Sequence, residues 1–243
     1  MQPPPVEVVN ATGRSRYVLL CEHASNWIPP EYEGLGLPGA ELSRHIAWDI
    51  GAAWMARRLS ERLDAPLILA GASRLLIDLN RPPGSAGSIP ETSEATEIPG
   101  NLGLDPAERA RREARWFHPF QSAVTGLLDQ RAGRETVVLG IHSFTPVYLG
   151  QSRPWQAGVL YRRAAGFAAW LVERLGGTAA GIAHNQPYQI EDESDYTVPI
   201  HGEARGLEAV LIEVRQDLIS TVEAARGWGD RLATALSEDC SAG

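Results

Sequence analysis

Four apolar stretches of this sequence run directly into groups that can bind a metal, move a proton or hold an anion. YVLLC leads into Glu22 and His23, and TVVLGI leads into His142 and Ser143. RLLI leads into Asp78, Asn80 and Arg81. EAVLI leads into Glu213 and Arg215, which share one strand face because side chains alternate. One such ending carries little weight. Four on separate expected strands put ionisable groups at the carboxyl edge of a sheet, where open α/β folds bind ligands.

The chemistry these residues fit best is metal-assisted hydrolysis. A lone histidine is usually a hydrogen-bonded structural group, but His23 and His142 together, with carboxylates nearby, are the best ligand pair, since neutral imidazole suits zinc. Catalytic zinc sites take three protein ligands and keep one position open. The third ligand is either Glu22 or Asp49. Glu22 would point away from His23 if its strand continued, and Asp49 follows His45 by four residues, so it either ligates or pairs with His45. Glu213 is the candidate general base: a metal acidifies water, and a carboxylate within reach can take the proton and pass it to a leaving nitrogen. The competing reading of Glu213 is an ion pair with Arg215 or a capping role before the last helix. Arg74, Arg81 and Arg215 could clamp an acidic substrate, because guanidinium matches a carboxylate bidentately, and Asn80 joins them from its place at a strand end. Serine hydrolysis is excluded as a leading idea: there is no G-x-S-x-G elbow, and Ser143 merely adjoins its own histidine.

The elements that must position these groups read as alternating strands and helices. Strands are expected at Tyr17–Cys21, 66–70, 74–78, 136–141, 157–161, 179–183 and Glu208–Arg215, and helices at 41–63, 164–175 and 219–236. Asp105, Pro106 and Glu108 form a helix start, with a kink or interruption expected at Pro119. Residues 82–103 are a long Pro-, Gly- and Ser-rich loop, and 191–196 an acidic one. The pattern predicts one three-layer α/β/α domain over residues 17–238 with a mixed central sheet, preceded by a loose leader at 1–16 and followed by a short tail at 239–243.

Bulk properties narrow the function. The net charge of −8 argues against nucleic acid or an anionic membrane as partner. No apolar run approaches a membrane span, and the start lacks a signal pattern, so cytoplasmic residence is the default expectation. All 22 basic residues are arginine, which removes Schiff-base, pyridoxal-lysine and P-loop chemistry. Cys21 and Cys240 form no spacing motif, and no disulfide is expected.

The segments CEHASNWIPP, HIAWDIGA, SRLLIDLNRPP, GIHSFTP and HGEARGLEAVLIEVRQDLI, in that order, resemble the N-formylglutamate amidohydrolase family from about Cys21 to Ile219. GIHSFTP and IEVRQDL also look like zinc-carboxypeptidase segments. The resemblance implies a phosphorylase/hydrolase-like fold, His142 as a zinc ligand and Glu213 as base. It implies hydrolysis of the N-formyl or related N-acyl amide of an acidic amino acid, with Arg74, Asn80 and Arg81 on its carboxylates. His201, on the loop before the Glu213 strand, could close over the site or simply face solvent. His118 reads as structural, and His184 is undecided. One departure stands out: carboxypeptidases place a ligating Glu where this chain has Asn26, so the third ligand does not carry over. Two rivals follow. The same metal site could act on another N-acyl amino acid or a carboxy-terminal peptide bond, or the scaffold could be a metal-free small-molecule binder.

Overall fold

The computed structural model describes residues 3–237, so Cys240 and the tail lie outside it. Seven strands form one mixed sheet: β1 (Val6–Val9), β2 (Tyr17–Cys21), β3 (Leu67–Ala70), β6 (Val137–Phe144), β9 (Ala157–Leu160), β10 (Ile182–His184) and β11 (Glu208–Arg215). Their spatial order is β1-β3-β2-β6-β11-β9-β10. The four strands β3, β2, β6 and β11 run parallel, β1 pairs antiparallel at one edge, and β9 with β10 opposes β11 at the other. Two small hairpins stand outside this sheet: β4 (Thr92–Ser93) with β5 (Thr96–Glu97), and β7 (Val147–Tyr148) with β8 (Gln151–Ser152).

The central strands read as unbroken apolar runs because helices and loops cover both faces. Residues of odd number in β2 and β6, with Val210, Ile212 and Val214 of β11, pack on α2 (Ala52–Leu63), α5 (Ala165–Arg174) and α6 (Val222–Ser237). Val18, Leu20, Val138 and Leu211 face the opposite layer, built on α4 (His118–Gln130) and the buried 72–79 segment. This is the expected α/β/α architecture. The described residues contain no helix long and apolar enough to cross a membrane.

Three local expectations are corrected. Val6–Val9, inside the stretch read as a leader, is an edge strand paired with β3. The segment 74–78 is a series of buried turns rather than a strand, because Asp78 turns back on Arg74 and on the Asn80 amide. The helix expected over 41–63 is two helices, α1 (Gly39–Leu42) and α2, separated by irregular backbone. Gly51 ends that break at φ +82°, where a β-carbon would lie 2.1 Å from the Ile219 carbonyl, so no side chain fits. The interruption expected at Pro119 is present, because the α-helical pattern breaks just before it. After α3 (Pro106–Arg112, capped by Asp105 on the Glu108 amide) comes a wide π turn at Glu113–Phe117, and α4 then starts with the proline in its first turn.

Candidate active site at the strand ends

The sheet register builds the site. Glu213 of β11 stands directly opposite His142 of β6, and the β2–β6 register, Leu20 against Gly140, continues to bring Glu22 beside the same histidine. Gly140 leaves room for the ring: a β-carbon there would sit 3.3 Å from His142 Nε2 and would collide with Leu211. His23 lies two residues beyond the end of β2, and the break between α1 and α2 delivers Asp49 to both histidines, its amide donating to the His23 carbonyl at 3.0 Å.

Asp49 is the pivot. Its Oδ2 lies 2.9 Å from His142 Nδ1 and 3.3 Å from His23 Nδ1, and it also accepts from the Ser143 amide at 3.2 Å. The outer nitrogens of the two rings meet carboxylates as well. His23 Nε2 is 2.8 Å from Asp78 Oδ1, and His142 Nε2 is 3.2 Å from Glu22 Oε2, in ion-pair contact without hydrogen-bond alignment. Glu22 in turn is held by the Thr197 hydroxyl. All of these groups are buried.

His23, Asp49 and His142 therefore offer donor atoms within 4.8 Å of one another. Two imidazoles and a carboxylate suit zinc, and a carboxylate behind each ligating histidine is the partner that fixes ring orientation at metal sites. The residues fit a divalent ion held through the two Nδ1 atoms and Asp49. Of the two candidates for third ligand, this grouping contains Asp49; Glu22 sits behind His142, away from the other donors. Asp49 does not pair with His45 along a helix, because no helix joins them, and His45 lies 3.6 Å from Glu94 instead. Asn26, the departure from the carboxypeptidase pattern, donates to the Leu42 carbonyl and ties α1 to the β2 loop.

The electrostatics follow from this crowding. Burial disfavours charge on Asp49, but His23 and His142 outweigh it and hold the carboxyl well below its usual range. Burial also opposes protonation of His142, yet Glu22 and Asp49 raise its pKa well above the ordinary histidine value. His23 is raised too, with burial and Arg74 opposing and Asp78 and Asp49 prevailing. Glu213 differs. Burial pushes its carboxyl up to about 7, Asp49 adding to the effect, and its buried Oε2 has no hydrogen-bond partner. A buried carboxylate with a free oxygen and a pKa near neutrality is poised to exchange protons.

These groups line the base of a cavity of about 610 Å³. The expected arginine clamp is only partly there. Arg74 lines the cavity but is bonded to Asp78 at 2.6 Å and reaches Asp49 at 3.4 Å. Asn80 uses its carbonyl oxygen on the Tyr196 and Thr197 amides and its amide on Asp195. Arg81 lines the cavity with only loose ion-pair contacts, 4.0 Å to Asp78 and 3.8 Å to Asp195. Arg215 is a correction. At the end of β11 its guanidinium pairs with Asp217 and reaches the carbonyls of Arg153, Pro154 and Trp155, outside the cavity lining.

His201 neither closes over the cavity nor faces solvent. It is 2% exposed in a π turn (Thr197–Gly202), with Nε2 2.6 Å from Gln121 Oε1, and burial lowers its pKa to about 4. His184 is exposed beside the Tyr161 hydroxyl, and His118, also exposed, meets the Phe117 ring edge-on. Residue reasoning missed Thr197, Tyr188, Glu94 and His45 as neighbours of the site. His45 alone had a signal, in the HIAWDIGA segment; the others arrive from distant loops with no local pattern.

A His–Asp–His donor set at a cavity base, with a perturbed buried glutamate in the row of strand-end groups, defines the site class as that of a candidate metallohydrolase. Comparison with known proteins then supplies the family. The family model described as N-formylglutamate amidohydrolase matches residues 15–220. The chain belongs to the N-formylglutamate amidohydrolase family and is by that membership an amidohydrolase. It is similar in structure to gene product Atu2144 from Agrobacterium tumefaciens, with 40% identity, a TM-score of 0.91, and 97% and 96% of the two chains covered. N-formylglutamate amidohydrolase from Ralstonia eutropha JMP134 shares the fold at a TM-score of 0.65 and 16% identity, over 97% and 96% of the chains. No curated protein matches.

Proposed function

We propose that this chain hydrolyses the N-formyl or related N-acyl amide of an amino acid, using a divalent metal, zinc by its donor set, held by His23, Asp49 and His142. The observation that carries this reading is the buried, unpartnered Glu213 oxygen across one strand pairing from His142, in a family of amidohydrolases. When bound, such an ion polarises the amide carbonyl and makes water a better acid. Glu213 takes the proton from the attacking water and returns it to the leaving nitrogen, a shuttle suited to a carboxyl near pH 7. Arg74, held by Asp78 and reaching Asp49, faces the cavity and would donate to the oxygen on which charge develops. Arg81 takes the substrate α-carboxylate, with Asn80 holding the loop that carries it. Products are formate, or another acid, and a free amino acid.

The family makes N-formyl-L-glutamate the reference substrate. The test is release of formate or acetate from a panel of N-formyl and N-acetyl amino acids, before and after chelation and after zinc is restored. Turnover that disappears with chelator and returns with zinc is the expected result. Stoichiometric zinc without hydrolysis of any member of the panel overturns the amide reading.

A further inference from the structure

The two carboxylates that stand behind the histidines are braced unequally. Asp78, behind His23, accepts from the Arg74 guanidinium at 3.0 and 2.6 Å and from the Asn80 amide at 2.9 Å. Glu22, behind His142, is fully buried. Apart from His142, the one group among the described residues that bonds it is Thr197, whose hydroxyl donates to Oε1. The other oxygen, Oε2, faces His142 Nε2 at 3.2 Å, and neither of these buried atoms has a hydrogen-bond partner elsewhere among the described residues. An ionised carboxylate only accepts, so a hydroxyl that fixes one of its oxygens also fixes where the other points.

The π turn that carries Thr197 is pinned at both ends to one short segment. At its start, Asn80 Oδ1 accepts from the Tyr196 and Thr197 amides at 3.1 and 2.8 Å. Further round, His201 Nε2 lies 2.6 Å from Gln121 Oε1, and the Gln121 side-chain amide donates to the Leu79 carbonyl at 2.7 Å. Thr197 is fully buried and outside the cavity lining, so its hydroxyl is spent on Glu22 and lies out of a substrate's reach. A hydroxyl in that place either satisfies a buried carboxylate and does no more, or sets the histidine beyond it.

We infer that Thr197 is a positioning residue for the metal centre: through Glu22 it holds the His142 ring so that Nδ1 is presented beside His23 and Asp49. This rests on the metal reading above and deepens it. A ring whose Nδ1 serves a metal carries its proton on Nε2, and Glu22 Oε2 is the acceptor within reach of it. Without the hydroxyl, Glu22 loses its one brace besides the ring itself, and the donor set loses its aim although no ligand has been touched. His23 is independent of Thr197, because Asp78 has supports of its own.

The experiment measures the zinc dissociation constant of the full chain and its variants by competition with a chromophoric chelator. Thr197→Val, of similar shape but without the hydroxyl, should weaken zinc binding about tenfold or more, the usual cost of losing an outer partner of a ligand. Thr197→Ala should do the same and stands in if the valine protein does not fold. Thr197→Ser keeps the hydroxyl and should bind zinc as the parent does. Val198→Ala opens space in the same buried turn, so it should lower the melting temperature and leave zinc affinity unchanged. In a Glu22→Gln background Thr197→Val should cost little further affinity, because its effect runs through that carboxylate. Parental affinity in Thr197→Val, an equal loss in Thr197→Ser or Val198→Ala, or an undiminished effect in the Glu22→Gln background overturns the inference while leaving the metal reading intact. A parent chain that binds no zinc overturns both.

Discussion

The base and the rim of the cavity are built by opposite rules. At the base, the two histidines and Glu22 sit on or just beyond central strands, are buried, and are held by other buried groups: His23 by Asp78, His142 by Glu22, Glu22 by Thr197. At the rim, the hairpins β4–β5 and β7–β8 and the 188–195 segment carry exposed side chains on short elements. Preorganised donors in a water-poor place serve a reaction, whereas loosely covered loops serve selection among substrates. The contrast teaches that reaction class and substrate preference are separable here, and each can be damaged alone.

The largest effect should come from Asp49. Asp49→Ala removes a proposed ligand and leaves two buried histidines without the charge they share, so zinc stoichiometry and activity should both fall to background. Folding stability should drop by about 3–5 kcal/mol, the usual cost of breaking a buried ion pair. Metal analysis and chemical denaturation read the two effects. Full zinc occupancy in the variant would refute the assignment of the base.

Glu213→Gln should be the next most severe, and of a different kind. It keeps size and polarity but loses the proton shuttle, so kcat should fall roughly 10²- to 10⁴-fold. Zinc content should be unchanged, because the residue stands beside the donor set and not in it. Zinc binding itself should release protons, up to about two per ion, since Glu22 and Asp49 on His142, and Asp78 and Asp49 on His23, favour the protonated rings without metal. Affinity therefore weakens as pH falls. Calorimetry in buffers of different ionisation enthalpy measures this, and binding without proton release would contradict ligation through the two rings.

How far this contrast was legible beforehand follows the same line. Strand ends are read from local pattern, and they gave His23, His142 and Glu213, while the Asn80–Arg81 pair was reached through a segment that is turns; Glu208–Arg215 and Tyr17–Cys21 were read with their observed limits. What depends on distant chain meeting distant chain was hidden. The choice of Asp49 over Glu22 required the break at Gly51, which is set by the Ile219 carbonyl more than 160 residues away. Arg215 shared the face of Glu213 by alternation, as expected, but the strand ends there and Asp217 draws the guanidinium aside. Arg74 and Asp78 read as a strand because turns that bury apolar side chains mimic one.

His201 sharpens the comparison from the side of stability. Like His142 it is buried, yet its hydrogen-bond partner is the neutral Gln121, so burial dominates and keeps the ring uncharged. Its folded pKa of about 4 lies below the unfolded value near 6.5, so between those pH values the unfolded chain binds the extra proton. The contribution is complete above pH 6.5 and is lost as pH falls towards 4, about 3 kcal/mol in all. His201→Gln should flatten that part of the pH–stability curve, seen as converging melting temperatures of the two proteins from pH 7 to pH 4.5. An unchanged slope would place the titration elsewhere.

The smallest effects should separate the two arginines that alternation could not. Arg81 lies in the cavity wall with only loose contacts, so Arg81→Gln should raise KM about tenfold with kcat nearly unchanged, the sign of lost uniform binding. Arg215 is committed to Asp217 and to three carbonyls of the 153–155 segment. Arg215→Gln should therefore leave both constants within about twofold while lowering stability by about 1 kcal/mol, the scale of a hydrogen-bonded surface contact. Steady-state kinetics and melting curves on the pair decide it. A rise in KM for Arg215→Gln, with none for Arg81→Gln, would move the carboxylate site from the cavity wall to the end of β11.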